Sequence, residues 1–129
     1  MNKLSILDGA IGSELILKGE ILPPEVWSAK INLSNPNLLL NIHKEYINAG
    51  ANYITTNTFR TTTRAYKKTG LSTIQANKLA KKSMHAAISI AKKAAENKSI
   101  KILGSIAPLE DCYSPQLFPG VENAKNEFS

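Results

Sequence analysis

Three short strand-like runs alternating with two helical stretches constrain this chain more than any other feature. Leu4-Ser5-Ile6-Leu7 is apolar and halts at Asp8-Gly9. Tyr53-Ile54-Thr55-Thr56-Asn57 is rich in β-branched and aromatic residues, and Ile100 to Ile106 runs into Ala107-Pro108. Runs of this kind bounded by turn residues read as strands. The first long helix opens at Asn35-Pro36, an amide cap followed by proline at the first helical position, and closes at Gly50. Its Leu39, Ile42, Tyr46 and Ala49 recur at steps of three and four and so share one face. The second runs from about Thr73 to Asn97, with Ala76, Ala80, Met84, Ala87, Ile88, Ala91 and Ala95 turned inward. Lys78, Lys81, Lys82, His85, Ser89, Lys92, Lys93 and Glu96 make its outward face. Shorter helical candidates lie at Ser13–Lys18, around Arg64–Lys68, and from about Val121 onward.

Strand–helix–strand–helix–strand order predicts the α/β class, a parallel sheet with helices packed against it. Functional groups in such a sheet gather at the carboxyl ends of the strands. Asp8, Gly9, Thr56, Asn57 and Ser105 fall at or near those ends. Two parallel folds compete. A dinucleotide-binding domain requires G-x-G-x-x-G after its first strand, whereas this turn reads Asp8-Gly9-Ala10-Ile11-Gly12-Ser13. No phosphate-binding Walker motif occurs. The other candidate is a (β/α)8 barrel, typically about 250 residues. The 129 residues here would then form its N-terminal portion, about three βα units, with no second domain.

Composition narrows the class. Hydrophobic residues make up 43% of the chain, too many for disorder at a net charge of +6. The single cysteine excludes an internal disulfide framework and fits the reducing cytoplasm. No apolar run reaches the ~18 residues of a membrane span, and Asp8 interrupts the N-terminal run too early for a signal peptide. Between Arg60 and Lys101, eleven basic residues face one acid, Glu96, which puts +10 there and leaves −4 elsewhere. Nucleic-acid binding would want a recognisable module or interleaved aromatics. The lysines instead fall on the outer helix face, so neither nucleic acid nor membrane is expected as a partner.

Several segments together point further. Asp8-Gly9-Ala10-Ile11-Gly12-Ser13-Glu14-Leu15 resembles the opening of the homocysteine S-methyltransferase family. Val26-Trp27-Ser28-Ala29 is similar to that family's Leu-Trp-Ser-Ala segment. His43, Tyr46 and Ala49-Gly50-Ala51-Asn52, leading into Ile54-Thr55-Thr56-Asn57-Thr58-Phe59, resemble its second strand and the helix before it. Gly104-Ser105-Ile106-Ala107-Pro108 and Asp111-Cys112-Tyr113 resemble its third strand and loop. Four segments in order cover nearly the whole chain.

The resemblance implies a (β/α)8 barrel that transfers a methyl group from a donor to the thiol of homocysteine, giving methionine. It also implies zinc, held by three cysteines, because a thiolate is the nucleophile and a metal deprotonates a coordinating thiol. Those ligands include a Gly-Gly-Cys-Cys motif of later strands, which this sequence does not contain. Catalytic zinc takes three protein ligands, whereas Cys112, His43 and His85 have no ligand spacing. Neither a metal ligand nor a catalytic residue is therefore assigned. Asn52 stands where the family more usually has Asp.

Asp8, Gly9, Thr56, Asn57 and Trp27 are the candidate substrate-binding residues. Asp8 would meet the amino-acid end of homocysteine and Gly9 would let it approach the backbone, although Asp-Gly also serves ordinary turns. Thr56 and Asn57 offer hydroxyl and amide groups, although threonine is also simply favoured in strands. Trp27 could present its ring to a cationic methyl donor or merely pack on the rim. His43 reads as structural and Cys112 as an ordinary loop thiol. The leading expectation is a truncated homocysteine S-methyltransferase, inactive alone. The alternative is a non-catalytic remnant or sheet-completing module, self-associating through open strand edges.

Overall fold

A computed structural model describes residues 4–129. The predicted alternation is present, with shorter strands than the sequence suggests. In chain order the elements are α1 (Ile11–Leu17), a 3-10 turn (Trp27–Lys30), α2 (Ile31–Ser34), α3 (Pro36–Asn48), β1 (Tyr53–Thr55), α4 (Thr63–Lys67), α5 (Thr73–Ala95), β2 (Lys101–Leu103), a second 3-10 turn (Pro115–Leu117) and α6 (Val121–Phe128). β1 and β2 pair in parallel, with Tyr53 opposite Lys101, Ile54 opposite Ile102 and Thr55 opposite Leu103.

The expected first strand is corrected to a single parallel bridge, Leu7 to Tyr53. The segment still follows β1: Asn52 and Tyr53 N–H donate to the Ile6 carbonyl, and Asp8 N–H donates to the Tyr53 carbonyl at 2.9 Å. Leu4, Ile6 and Leu7 are exposed, however, and among the described residues the segment has a neighbour on one side only. The other two strands are likewise trimmed, to Tyr53–Thr55 and Lys101–Leu103. Thr56 N–H still donates to Leu103, but Asn57 then turns into a side-chain network that ends the ladder.

Asn35 caps α3 by accepting from Leu38 N–H, with proline at the helix start, and Gly50 beyond its end takes φ +108°. Leu39 and Ile42 are buried as expected, but Tyr46 is half-buried and Ala49 exposed, while Leu40, His43 and Ile47 complete the inner face. A capping box joins Ser72 and Gln75 at the start of α5. Its lysines are exposed as expected, yet its buried stripe is Ala76, Ala80, Ser83, Ala87, Ile90, Ala91 and Ala94. Ser83, Ile90 and Ala94 replace Met84, Ile88 and Ala95, the Ser83 hydroxyl being held inward by Asn32 and the Ala29 carbonyl.

Two apolar clusters hold these elements together. The larger joins Ile11, Leu15, Ile31, Leu39, Ile42, Ile54 and Ala91, so α1, α2, α3 and α5 all close on β1. The smaller packs Val26, Ala29, Ala65, Tyr66, Ala76 and Ala80, seating α4 and the first 3-10 turn on α5. The predicted C-terminal helix is α6, which buries no residue. Its Glu127 pairs with Arg64, which also reaches Glu110 at 2.8 Å, and Glu110 is shared with Lys68. No helix is long and apolar enough to cross a membrane among the described residues.

Candidate functional site

A cleft of about 550 Å³ opens where β1 and β2 end. One wall is Gly9 to Gly12, leading into α1; another is Pro24, Trp27 and Ser28. The strand ends give Thr55, Thr56, Asn57 and Ser105, and the following loops give Phe59, Arg60, Asp111, Cys112 and Tyr113. This is where a parallel sheet with helical crossovers places its ligands.

Close approach explains the two glycines of the first wall. A β-carbon on Gly9 would lie 2.8 Å from the Tyr46 hydroxyl oxygen, and one on Gly12 would lie 2.5 Å from Trp27 Nε1. Tyr46 uses that proximity to donate to the Ala10 carbonyl at 3.1 Å. The indole lies against the start of α1, and Trp27 takes φ +48° to put it there. A left-handed backbone costs a non-glycine residue about 1–2 kcal/mol, and such strain collects at ligand sites.

Of the predicted site residues, Gly9, Thr56, Asn57 and Trp27 line the cleft. Asp8 sits beside the lining. Its carboxylate accepts from Thr55 N–H at 2.8 Å and from the Thr55 hydroxyl at 3.1 Å. Burial raises its pKa above the ordinary carboxylate value, and the Thr55 hydrogen bonds oppose that rise. Tyr46 nearby is also raised, by burial first and then by the negative charges of Glu14, Asp8 and Glu45. This corner of the cleft is electronegative.

The side chain of Asn57 is fully engaged. Its Oδ1 accepts from the Ser28 hydroxyl at 2.6 Å; its Nδ2 donates to the Ser28 carbonyl and to Asn32 Oδ1, each at 2.8 Å. Asn32 Nδ2 in turn donates to the Asn57 carbonyl and to the Ser83 hydroxyl. Asn57 thus ties the strand end to the turn that carries Trp27. Thr56 and Thr58 share a hydroxyl contact of 2.8 Å, and Ser105 N–H donates to both. Sequence reasoning missed Ser28, Asn32 and Ser83 because each looks like an ordinary polar residue until folding brings them together.

In the sequence Arg60 is one basic residue among the eleven from Arg60 to Lys101, and only the fold brings it to the cleft. Its guanidinium lies 5.8 Å from the Phe59 ring centre and 4.0 Å from an Asp111 oxygen, and its side chain is 18% exposed.

A small parallel sheet with helical crossovers and a cleft of mixed polar and apolar lining at its strand ends defines the class, an α/β unit. Comparison with known proteins gives the family. The sequence profile described as Homocysteine S-methyltransferase matches residues 5–128, and the chain belongs to that family. It is 37% identical over 83 residues to homocysteine S-methyltransferase 3 of Zea mays, covering 64% of this chain and 25% of that protein. It is 33% identical over 111 residues to the Escherichia coli homocysteine S-methyltransferase, covering 80% of this chain and 34% of that one. The solved structure of the Escherichia coli homocysteine methyltransferase MmuM, metallated form, superposes with a TM-score of 0.70 at 29% identity, over 83% of this chain and 39% of that one. The chain therefore spans about a quarter to a third of the length of these curated relatives.

Proposed function

We propose that this chain, residues 1–129, forms the homocysteine-binding, N-terminal segment of a homocysteine S-methyltransferase barrel domain. The observation that carries the proposal is the cleft at the strand ends, walled by Gly9, Thr56, Asn57 and Trp27, in a chain of this family. The reaction it would serve forms a carbon–sulfur bond to the homocysteine thiol, breaks the donor's bond to the methyl group, and releases the thiol proton.

The chain's own residues supply binding and orientation. Gly9 presents bare backbone to the cleft, and its missing side chain lets Tyr46 pack against the turn behind it. Asp8, held by Thr55, places negative charge beside the cleft to face the substrate ammonium. Thr56 offers a hydroxyl at the strand end, and Asn57 keeps Trp27 in place over the opening.

Zinc, which the family resemblance implies, does not fit these residues. Among the described residues no three His, Cys, Asp or Glu side chains come together as a metal site. Cys112 is exposed on its loop, His43 is sealed in the core and His85 lies on the outer face of α5. No step is assigned to the metal. The 129-residue chain by itself is proposed to bind homocysteine without turning it over. The test is methionine formation and zinc content of the purified chain: neither is expected, while homocysteine binding is. Turnover with bound zinc would overturn the proposed inactivity.

A second reading is favoured by one observation. Leu4, Ile6, Leu7, Leu103 and Ile106 are exposed near the strand edges, and such edges pair with other chains. Self-association there is checked by sedimentation across a concentration series. The lone exposed thiol fits a reducing cytoplasm, where we place the protein.

A further inference from the structure

Resting on the proposed homocysteine site, we infer that Arg60 is the specificity-determining residue for the α-carboxylate of the amino-acid substrate, with Asp111 as a counter-ion that the carboxylate displaces. Three observations carry this. First, Arg60 lines the cleft, and among the described residues its guanidinium has no partner nearer than Asp111 at the 4.0 Å limit of an ion pair. Arg64, four residues on and within α4, is by contrast engaged by Glu110 and Glu127. A guanidinium carries five N–H donors in a fixed fork that matches a carboxylate, and these are unspent.

Second, the group is held in place without being consumed. Its side chain is only 18% exposed, and the Phe59 ring lies 5.8 Å from it. That distance is within cation–π range, an attraction that uses the ring face and none of the guanidinium N–H donors. Asp111 is a weak competitor: its side chain is 48% exposed, and the same oxygen already accepts from Tyr113 N–H at 3.0 Å.

Third, charge of both signs stands at the cleft, as an amino acid requires. Asp8, Glu14 and Glu45 put negative charge around Tyr46 beside the Gly9 wall, and Arg60 supplies positive charge from the loop after β1. A zwitterion with its ammonium toward Asp8 and its carboxylate toward Arg60 meets complementary charge at both ends.

The experiment splits the substrate into its two halves. Binding of L-homocysteine, 4-mercaptobutyrate (no amine) and 3-aminopropanethiol (no carboxylate) is titrated by Trp27 fluorescence on wild type, Arg60→Gln, Arg60→Lys and Asp111→Asn. Arg60→Gln is expected to weaken both carboxylate ligands at least tenfold and 3-aminopropanethiol less than twofold. Arg60→Lys should restore part of the loss, and Asp111→Asn should tighten both carboxylates. Unchanged carboxylate affinity in Arg60→Gln, with homocysteine still bound, overturns the role of Arg60 and leaves the homocysteine site standing. Arg60-dependent binding of 4-mercaptobutyrate without homocysteine binding does the reverse. If wild type binds neither carboxylate, both fall. Should Arg60→Gln not fold, Asp111→Asn decides: tighter carboxylate binding supports the role, and unchanged binding overturns it.

Discussion

Asp8 and Thr55 are joined twice, through the Thr55 N–H at 2.8 Å and the Thr55 hydroxyl at 3.1 Å, on one carboxylate. The pairing fastens the turn that begins the cleft to the end of the central strand. It also keeps a partly buried charge beside the cleft at some cost, since burial outweighs these bonds and raises the Asp8 pKa.

That cost has a pH signature. A carboxyl whose pKa is raised by folding binds its proton more tightly in the folded state, so its contribution to stability falls as pH rises from 3.8 through the folded value. Asp8→Asn removes the titration. Chemical denaturation of both proteins from pH 3 to 7 should show wild type losing ground to Asp8→Asn as pH rises. A parallel pair of curves would contradict this.

His43 predicts the opposite sense. It is fully buried, neither ring nitrogen has a hydrogen-bond partner among the described residues, and burial lowers its pKa from 6.5 to about 4. The unfolded chain therefore takes up a proton first as pH falls, and stability drops between pH 6.5 and about 4. The loss amounts to about 3 kcal/mol. His43→Phe leaves no group to protonate there and no orphaned nitrogen, so its unfolding free energy should lack this component.

Gly12 and Trp27 are sterically coupled. Gly12→Ala drives a methyl group to within 2.5 Å of the indole nitrogen, which must move or strain the start of α1. Overpacking of this kind costs about 1–3 kcal/mol. Since Trp27 is the only tryptophan, its emission reports the displacement directly, as a red shift accompanied by weaker ligand binding.

Asn57 is the centre of the buried polar network. Asn57→Asp replaces a donor by an acceptor against the Ser28 carbonyl and Asn32 Oδ1, both now at 2.8 Å from Nδ2. Loss of both bonds in a buried site should cost at least about 3 kcal/mol. Thermal denaturation near neutral pH checks it, with Asn57→Ala expected to be the milder change.

The helices were legible because their signals are local: the Asn35-Pro36 cap, the Ser72–Gln75 box and the lysine face of α5 depend only on neighbours in sequence. The strand ends were not, because ladder length depends on partners. Leu4–Leu7 has a strand's composition, yet the described residues give it one neighbour and a single bridge. In the cleft, Gly9, Thr56, Asn57 and Trp27 could be placed by topology and family likeness. The Ser28–Asn32–Asn57–Ser83 network and the unspent guanidinium of Arg60 could not, since each exists only through contacts between distant segments. The α5 stripe shifted for the same reason: Ser83 faces inward to meet Asn32.

The most direct measurement is an amide and indole NMR titration of the ¹⁵N-labelled chain with L-homocysteine. Saturable shifts concentrated at Gly9, Thr56, Asn57 and the Trp27 indole are predicted, with the outer face of α5 unmoved. A folded protein showing no saturable shift at those positions, or showing shifts only elsewhere, would contradict homocysteine binding at the strand ends.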